Sequence, residues 1–269
     1  MTLAACPLFA LGLPVFALAL LAPPAFARDG EIAVDVELVL AVDVSYSMDE
    51  EEQMLQRDGY IQALTSPEFF RGLQNGMTGK IAVTYIEWAA SYDQKIILPW
   101  TLVDSSAAAR RFAAELAAAP YRRARRTSVS GAIDFSLGLF TANGYSGTRR
   151  IIDISGDGPN NNGRPVTAAR DEALAAGTII NGLPLQIRPV RAYAMDIADL
   201  DLYYADCVIG GPGSFVIPVR DARDFVRATK EKILQEIAVA EPLVKLADVK
   251  APRVSCMIGE SLWQQRMGN

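Results

Sequence analysis

The sequence predicts an α/β fold: a doubly wound, mostly parallel sheet with one antiparallel edge strand and helices on both faces. Three observations lead to this prediction. Unbroken apolar runs such as residues 38–42 are typical of strands buried on both faces of a parallel sheet. Helical patterns alternate with these runs, which is the order of a doubly wound sheet. One pair of runs, residues 80–90 and 95–102, is joined by a short turn and so predicts an antiparallel hairpin.

The first half of the chain continues this pattern. A helix is predicted from the acidic residues 49–52 to about residue 65, with Ser47 and Glu50 at capping-box spacing. Pro99 places residues 95–102 at a sheet edge, because proline cannot donate to a strand ladder. An alanine-rich helix is expected over residues 105–118, and Thr127 opens the next helix.

The second half predicts further strands at residues 149–155, 178–185 and 214–219. Asn181-Gly182 leaves a hairpin open for the middle run, but a parallel strand is preferred because a helix over residues 166–176 directly precedes it. A short helical piece is expected at residues 200–205, and Asp221 is expected to cap an amphipathic helix. The pattern dissolves into a tail from Pro242 onward, and no internal repeat or linker divides the chain.

The first 27 residues predict a secretory signal peptide. They carry no charged side chain, are apolar from Leu8 to Leu21, and end in Ala25-Phe26-Ala27, a small-x-small cleavage signal. Prolines within this segment argue against a membrane anchor. The expected organisation is a leader (1–27), one domain (28–241) and a tail (242–269), exported to the periplasm or secreted, with no transmembrane segment in the mature chain.

Composition excludes several function classes. The chain has no histidine, which rules out Ser-His-Asp triads and H-E-x-x-H zinc sites. Its net charge of −5 argues against nucleic acid as a partner. Cys207 and Cys256 remain after leader cleavage, too few for a Cys-only zinc site. They predict a disulfide in an oxidising compartment, with two free buried thiols as the alternative.

Side chains that suit a hard cation follow three separate elements. Asp43, Ser45 and Ser47 form a D-x-S-x-S cluster directly after the first strand. Thr127 stands at the start of a helix, and Asp157 follows the strand at residues 149–155. Oxygen ligands at the carboxyl ends of parallel strands favour Mg²⁺, with Mn²⁺ or Ca²⁺ as alternatives. Each piece alone would equally suit a turn or a helix cap.

Taken together, these five positions resemble the metal-ion-dependent adhesion site (MIDAS) of the von Willebrand factor type A domain family. The resemblance covers roughly residues 34–237, and the loop at residues 155–161 is similar to that of a bacterial secreted branch of unknown function. It implies that Ser45 and Ser47 bind the metal directly and that Thr127 binds directly or through water. Asp43 and Asp157 would act mainly through water and orient the hydroxyls.

The leading functional hypothesis is a secreted module that binds a divalent cation and, through it, an acidic residue of an unidentified protein partner. The alternatives are a metal-dependent hydrolase that uses a metal-bound water, with Asp49 or Glu87 as the base, and a metal-independent component of an envelope assembly. No nucleophile–base pair is evident, so the chain is not expected to be an enzyme. The basic residues 122–126 either attract the acidic partner or form a solvated face that balances residues 49–52.

Overall fold

The apolar run after the predicted leader forms the central strand of the sheet. The structure is a computed structural model that describes residues 30–187, 196–238 and 251–267, so the predicted leader lies outside the described residues. Strand β1 (Ile32–Asp43) is buried without a break from residue 36 to its end. It pairs in parallel with β2 (Ile81–Trp88) on one side and with β4 (Tyr145–Gly156) on the other.

The remaining strands complete a sheet of the predicted class. Within the described residues the strand order is β3-β2-β1-β4-β5. β5 (Thr178–Pro184) is parallel to β4, and β3 (Gln94–Val103) is antiparallel to β2 at the edge. The prediction of a mostly parallel sheet with one antiparallel edge strand is therefore confirmed, as is the parallel strand preferred for residues 178–185.

Helices cover both faces because alternate residues of β1 point to opposite sides. On one face, Leu38 and Leu40 pack in the core formed with α1 (Glu50–Thr65), α2 (Pro67–Gln74), α3 (Ser106–Ala118) and α7 (Phe225–Ile237). On the other face, Val39 and Ala41 pack in the core formed with α4 (Val129–Leu139), α5 (Val166–Ala175) and α6 (Leu200–Tyr203), which continues as a π-helical turn over Tyr204–Val208.

The predicted strand at residues 214–219 is not a regular strand. It touches β5 and its extension only at two isolated parallel bridges, Gly182 with Val216 and Leu185 with Val219. Pro184 explains the interruption, because it lacks the N–H group that would donate to Ile217 and join the two bridges into a continuous ladder. The segment therefore forms an irregular edge beside β5.

Two predicted helix starts are wrong in detail. Asp49 caps α1, and Glu52 completes its capping box, whereas Ser47 and Glu50 were expected to do so. Asp221 caps a short 3₁₀ turn, Ala222–Asp224, rather than the long helix α7 that follows. In both places several capping residues stand close together, and the path of the preceding loop decides which one is used.

α1 buries a polar face against the sheet. Arg57 is buried and pairs with Glu87 at 3.0 Å, and Ser155 donates from its hydroxyl to Gln56 Oε1 at 2.9 Å. Gln56 also lies 3.5 Å from the carbonyl oxygen of Asp43. These contacts attach α1 to the ends of β1, β2 and β4, so the helix that follows the D-x-S-x-S cluster is held close to it.

A buried ionic cluster lies between β4 and α7. Lys232 Nζ lies 2.7 Å from Asp153 Oδ1 and also pairs with Glu236, and all three side chains are shielded from solvent. Tyr60 donates to Asp153 at 3.3 Å, and Asn181 donates to Glu236 at 3.2 Å. Burial, reinforced by the charge of Asp153, raises the pKa of Glu236 to about 7. Two carboxylates share one ammonium here, so one buried negative charge is uncompensated when both carboxylates are ionised.

The segment predicted as an unstructured tail contains a helix. Its residues 251–267 include α8 (Ile258–Met267), and the disulfide between Cys207 and Cys256 ties it to the π-helical turn. The expected disulfide is thus present in the structure. Across the described ranges, no helix combines the length and apolar character needed to cross a bilayer.

Candidate metal centre

The candidate site lies where the chain reverses its direction of winding. Asp43 is the last residue of β1, and Asp157 directly follows Gly156, the last residue of β4. Because β1 and β4 are parallel neighbours, these two ends meet at the same edge of the sheet. Open α/β sheets bind ligands at this kind of topological switch point.

The D-x-S-x-S cluster turns back on itself to present two hydroxyls. The backbone N–H of Ser45 donates to Asp43 Oδ1 at 2.7 Å. This turn brings the Oγ atoms of Ser45 and Ser47 to 2.8 Å from each other. Ser47 Oγ in turn donates to Asp157 Oδ1 at 2.6 Å, across 110 residues of sequence. Four of the predicted site residues therefore form one connected network.

Thr127 reaches the same place through the asparagine loop. Its N–H donates to Asn161 Oδ1 at 3.0 Å, and its carbonyl accepts from the N–H of Asn161 at 2.8 Å. A methyl group added at Gly158, the neighbour of Asp157, would lie 3.9 Å from Thr127 Oγ1. Ser128, one residue later, caps α4, so Thr127 precedes the helix rather than opening it. All five predicted positions thus lie around one point.

Sequence reasoning missed the structural role of the three asparagines at residues 160–162. Asn161 braces Thr127, and Asn160 accepts from the N–H of Ser130 at 3.0 Å. Asn162 accepts from the N–H of Ser91 at 2.9 Å. The run of three asparagines after Asp157 was the available signal, because side-chain amides readily replace backbone partners in loops.

The two aspartates experience an unfavourable environment in the absence of a cation. Burial raises the pKa of Asp43 to about 7, against the opposing effect of its hydrogen bond from Ser45. Burial and the charge of Asp43 raise the pKa of Asp157 well above its usual range. The Oδ2 atom of Asp43 is buried and has no hydrogen-bond partner among the described residues. Two ionised carboxylates here would be stabilised by a positive charge between them.

Glu52 is a third acidic group near the site. Unlike Glu50 and Glu51, which are exposed, it is buried because its side chain folds back in the capping box. Its charge raises the pKa values of both Asp43 and Asp157. The spacing of Asp49 and Glu52 could have predicted this, because a glutamate at the third helical position accepts a hydrogen bond from the backbone N–H of the cap residue.

The donor set fits a hard divalent cation. Its members are carboxylate and hydroxyl oxygens, and Asp43 Oδ2 is a buried acceptor without a hydrogen-bond partner among the described residues. In the part of the chain that the structure describes, no three acidic, histidine or cysteine side chains gather as a metal cluster, so a cation here would need serine and threonine hydroxyls among its ligands. Glu87, considered as a catalytic base, is buried in ion pairs with Arg57 and Arg122.

The basic loop beside the site divides its arginines between two roles. Arg122 pairs with Glu87 at 3.1 Å and with Asp93 at 2.7 Å, rather than with the acidic start of α1. Arg125 and Arg126 instead line a cleft of about 670 Å³ that lies over the candidate site. Part of this loop is therefore structural, and part faces the position where a ligand would approach.

Comparison with known proteins agrees with this architecture. Residues 33–241 match the family described as protein of unknown function (DUF1194). Among curated protein sequences, none matches the chain significantly. Proximal thread matrix protein 1 from the mussel byssus is 14% identical, with a TM-score of 0.58 over 77% of this chain and 49% of that one. The same protein solved with a zinc-occupied MIDAS motif gives a TM-score of 0.54 at the same identity and coverage.

Two further solved structures share the fold. The pilus adhesin SpaC from Lactobacillus rhamnosus GG, in its open conformation, is 14% identical, with a TM-score of 0.55 over 76% of this chain and 30% of that one. A von Willebrand factor type A protein from Catenulispora acidiphila is 16% identical, with a TM-score of 0.51 over 76% and 43%. The chain thus spans half or less of each of these structures. It belongs to the DUF1194 family, and its fold is that of a von Willebrand factor type A domain.

Proposed function

We propose that the chain is an exported binding module that holds a divalent cation and, through it, an acidic residue of a partner protein. The residues that would hold the cation are Asp43, Ser45, Ser47, Thr127 and Asp157. One observation carries the proposal: hydroxyl and carboxylate oxygens from two distant loops meet in an unbroken hydrogen-bonded chain from Ser45 through Ser47 to Asp157.

The chemistry of the donors explains why an outside carboxylate would bind. Ser45, Ser47 and Thr127 are neutral ligands, so much of the charge of a bound cation would be left uncompensated. The cation would supply an open coordination position that favours an anionic oxygen ligand. The zinc-occupied MIDAS motif of the mussel protein supports a divalent ion, and the all-oxygen donor set favours Mg²⁺ among the candidates.

The carboxylates have an orienting role in this proposal. Asp43 accepts from the N–H of Ser45, which sets the turn that brings the two serine hydroxyls together. Asp157 accepts from Ser47 and so fixes the direction of that hydroxyl. With so few carboxylates, the affinity for the cation alone should be modest, on the order of 10⁻⁴–10⁻³ M, as in weak extracellular calcium modules.

Export is supported by two features of the chain. The predicted leader has the composition of a signal peptide. The Cys207–Cys256 disulfide is of the kind that persists in an oxidising compartment.

Calorimetric titration with Mg²⁺ tests the metal site. Asp43→Ala and Asp157→Ala should each abolish binding, because each removes an acceptor that orients a ligand. Asp58→Ala is the matched control, since Asp58 is an exposed aspartate of α1 away from the cleft. Circular dichroism should show the same fold in all variants. Unchanged Mg²⁺ binding in both site variants would show that the assignment is wrong.

A further inference from the structure

The C-terminal segment returns to the metal centre after the family match has ended. The match stops at residue 241, whereas the Cys207–Cys256 disulfide fixes the segment at residue 256. Arg253 strengthens this attachment. Its guanidinium donates to Asp206 Oδ1 at 2.6 Å, and its backbone N–H donates to Asp206 Oδ2 at 2.7 Å. The segment is therefore anchored covalently and ionically to the body of the domain.

From this anchor, α8 packs on the loops that carry the candidate ligands. Gly259 lies against the backbone of Asn160 so closely that an added Cβ would overlap the carbonyl oxygen of that residue. Glu260 accepts from the amide of Asn160 at 2.7 Å. The guanidinium of Arg126 lies over the ring of Trp263, 3.3 Å from its centroid. Arg126 has a φ of +76°, which is costly for a side chain with a Cβ, so this stacking contributes to holding the loop before Thr127.

These contacts make α8 one wall of the cleft. The hydroxyl-bearing residues Ser45, Ser47 and Thr127 line the floor of the cleft. Arg125 and Arg126 of the loop before Thr127 line it together with Trp263, Arg266 and Met267 of α8. The open position of a bound cation would thus face a volume of about 670 Å³, large enough for several side chains.

The lining has the composition of a protein-binding surface for acidic segments. Its charged residues outside the candidate ligands are three arginines and Asp196, so the side chains that line the cleft carry a net positive charge. Tyr46 and Met267, which also line the cleft, are 55% and 68% exposed and so are available to a partner. Tyrosine, tryptophan, methionine and arginine are enriched at protein interfaces, and tyrosine, tryptophan and arginine are the residues enriched at hot spots.

We propose that the partner docks in this cleft, with α8 as part of the binding surface. The cleft selects an extended acidic segment in which the metal-binding carboxylate is accompanied by a second carboxylate and an apolar side chain. The second carboxylate faces Arg125, and the apolar side chain packs against Trp263 and Met267. The role of the first carboxylate rests on the proposed function, whereas the wall contacts are a separate claim with their own test.

Selection from a phage-displayed library of random dodecapeptides provides the probe. The full chain is immobilised in Mg²⁺, and bound phage are eluted first with EDTA and then with acid, so that peptides which resist EDTA are also recovered. We expect enrichment of peptides with two acidic residues flanking an apolar one. A selected peptide is then labelled, and its affinity for each variant is measured by fluorescence anisotropy, beside an Mg²⁺ titration of the same variant.

Arg125→Glu and Trp263→Ala should each weaken the peptide about tenfold or more, as hot-spot changes do. Arg110→Glu is the control, because Arg110 is an exposed arginine of α3 outside the cleft. Arg125 is exposed, so its variant keeps the fold and should bind Mg²⁺ no more weakly than the wild type.

The two claims fail in different ways. EDTA-sensitive peptides that bind both cleft variants as tightly as the wild type would overturn the role of α8 and leave the proposed function standing. Peptides that resist EDTA but lose affinity in both cleft variants would support the cleft and overturn the metal-dependent mechanism. Failure to enrich acidic peptides would overturn the inference.

Discussion

Replacing Asp43 by asparagine should stabilise the metal-free protein while removing its response to Mg²⁺. The substitution is nearly isosteric, and the amide oxygen of the new side chain can still accept from the N–H of Ser45, as Asp43 Oδ1 does at 2.7 Å. What changes is the charge, which is buried and lies close to those of Asp157 and Glu52. A site built to hold a cation should therefore destabilise the fold when the cation is absent.

The size of the stabilisation expected for Asp43→Asn follows from the pKa of Asp43. Burial raises this pKa from 3.8 to about 7. A rise of this size lowers the free energy of unfolding of the wild type by at most about 4 kcal/mol when Asp43 is ionised. Because the folded-state pKa is raised, ionisation disfavours folding: the cost is absent below pH 3.8 and fully present above about pH 7. The stabilisation of the variant should therefore grow as pH rises through this window.

Urea denaturation in EDTA at pH 4 and pH 8 measures this difference in the free energy of unfolding. At pH 8, addition of 10 mM Mg²⁺ should stabilise the wild type by about 1.4–2.7 kcal/mol for a dissociation constant on the order of 10⁻³–10⁻⁴ M, and the variant not at all. Asp58→Asn is the exposed control. A variant less stable than the wild type at pH 8 in EDTA, or equally stabilised at both pH values, would refute the reasoning.

Three further predictions concern the supports of the site. Gly156→Ala should weaken Mg²⁺ binding in calorimetry and lower the free energy of unfolding by about 1–3 kcal/mol, because the new methyl group would lie 2.9 Å from Asp43 Oδ2. An unchanged Mg²⁺ affinity together with an unchanged free energy of unfolding would contradict this prediction. Peptide mapping of unreduced protein should find Cys207 and Cys256 linked, and Cys256→Ser should cost at most about 4 kcal/mol; alkylation of both thiols in the unreduced protein would disprove the bridge. Glu236→Gln should increase the free energy of unfolding by up to about 3 kcal/mol at pH 8, because burial raises the pKa of Glu236 to about 7 and its ionisation then disfavours folding. The gain should shrink as pH falls from 7 to 4.5, and a gain that does not depend on pH would show that ionisation of Glu236 is not its cause.

The sequence by itself determined the class of the fold and the position of the candidate site. Apolar runs buried on both faces, alternating with helices, are compatible with few architectures other than a doubly wound sheet. Parallel strands end at one edge, so polar residues that follow them are expected at that edge. Only the structure shows that β1 and β4 are neighbours, which brings Ser47 to Asp157 across 110 residues of sequence.

Local signals were less decisive where several residues could do the same task. Ser47 and Asp49 are both good caps, and Asp49 caps α1 because Ser47 is engaged with Asp157. The buried polar face of α1 could not be predicted either, since polar residues such as Gln56 and Arg57 are usually exposed unless they have partners, and their partners Ser155 and Glu87 lie on distant strands. In each case a contact with a distant residue selects among choices that are locally equivalent.

Only the tertiary structure decided that the C-terminal segment belongs to the site. Residues 251–267 carry no periodic apolar pattern, and α8 offers little apolar surface of its own. Its position depends on the disulfide to Cys207, on the packing of Gly259 against Asn160, and on the stacking of Trp263 with Arg126. Hydrophobic periodicity reports which residues face a core, but not which surface a tethered helix will cover, because that choice depends on contacts between residues far apart in the chain.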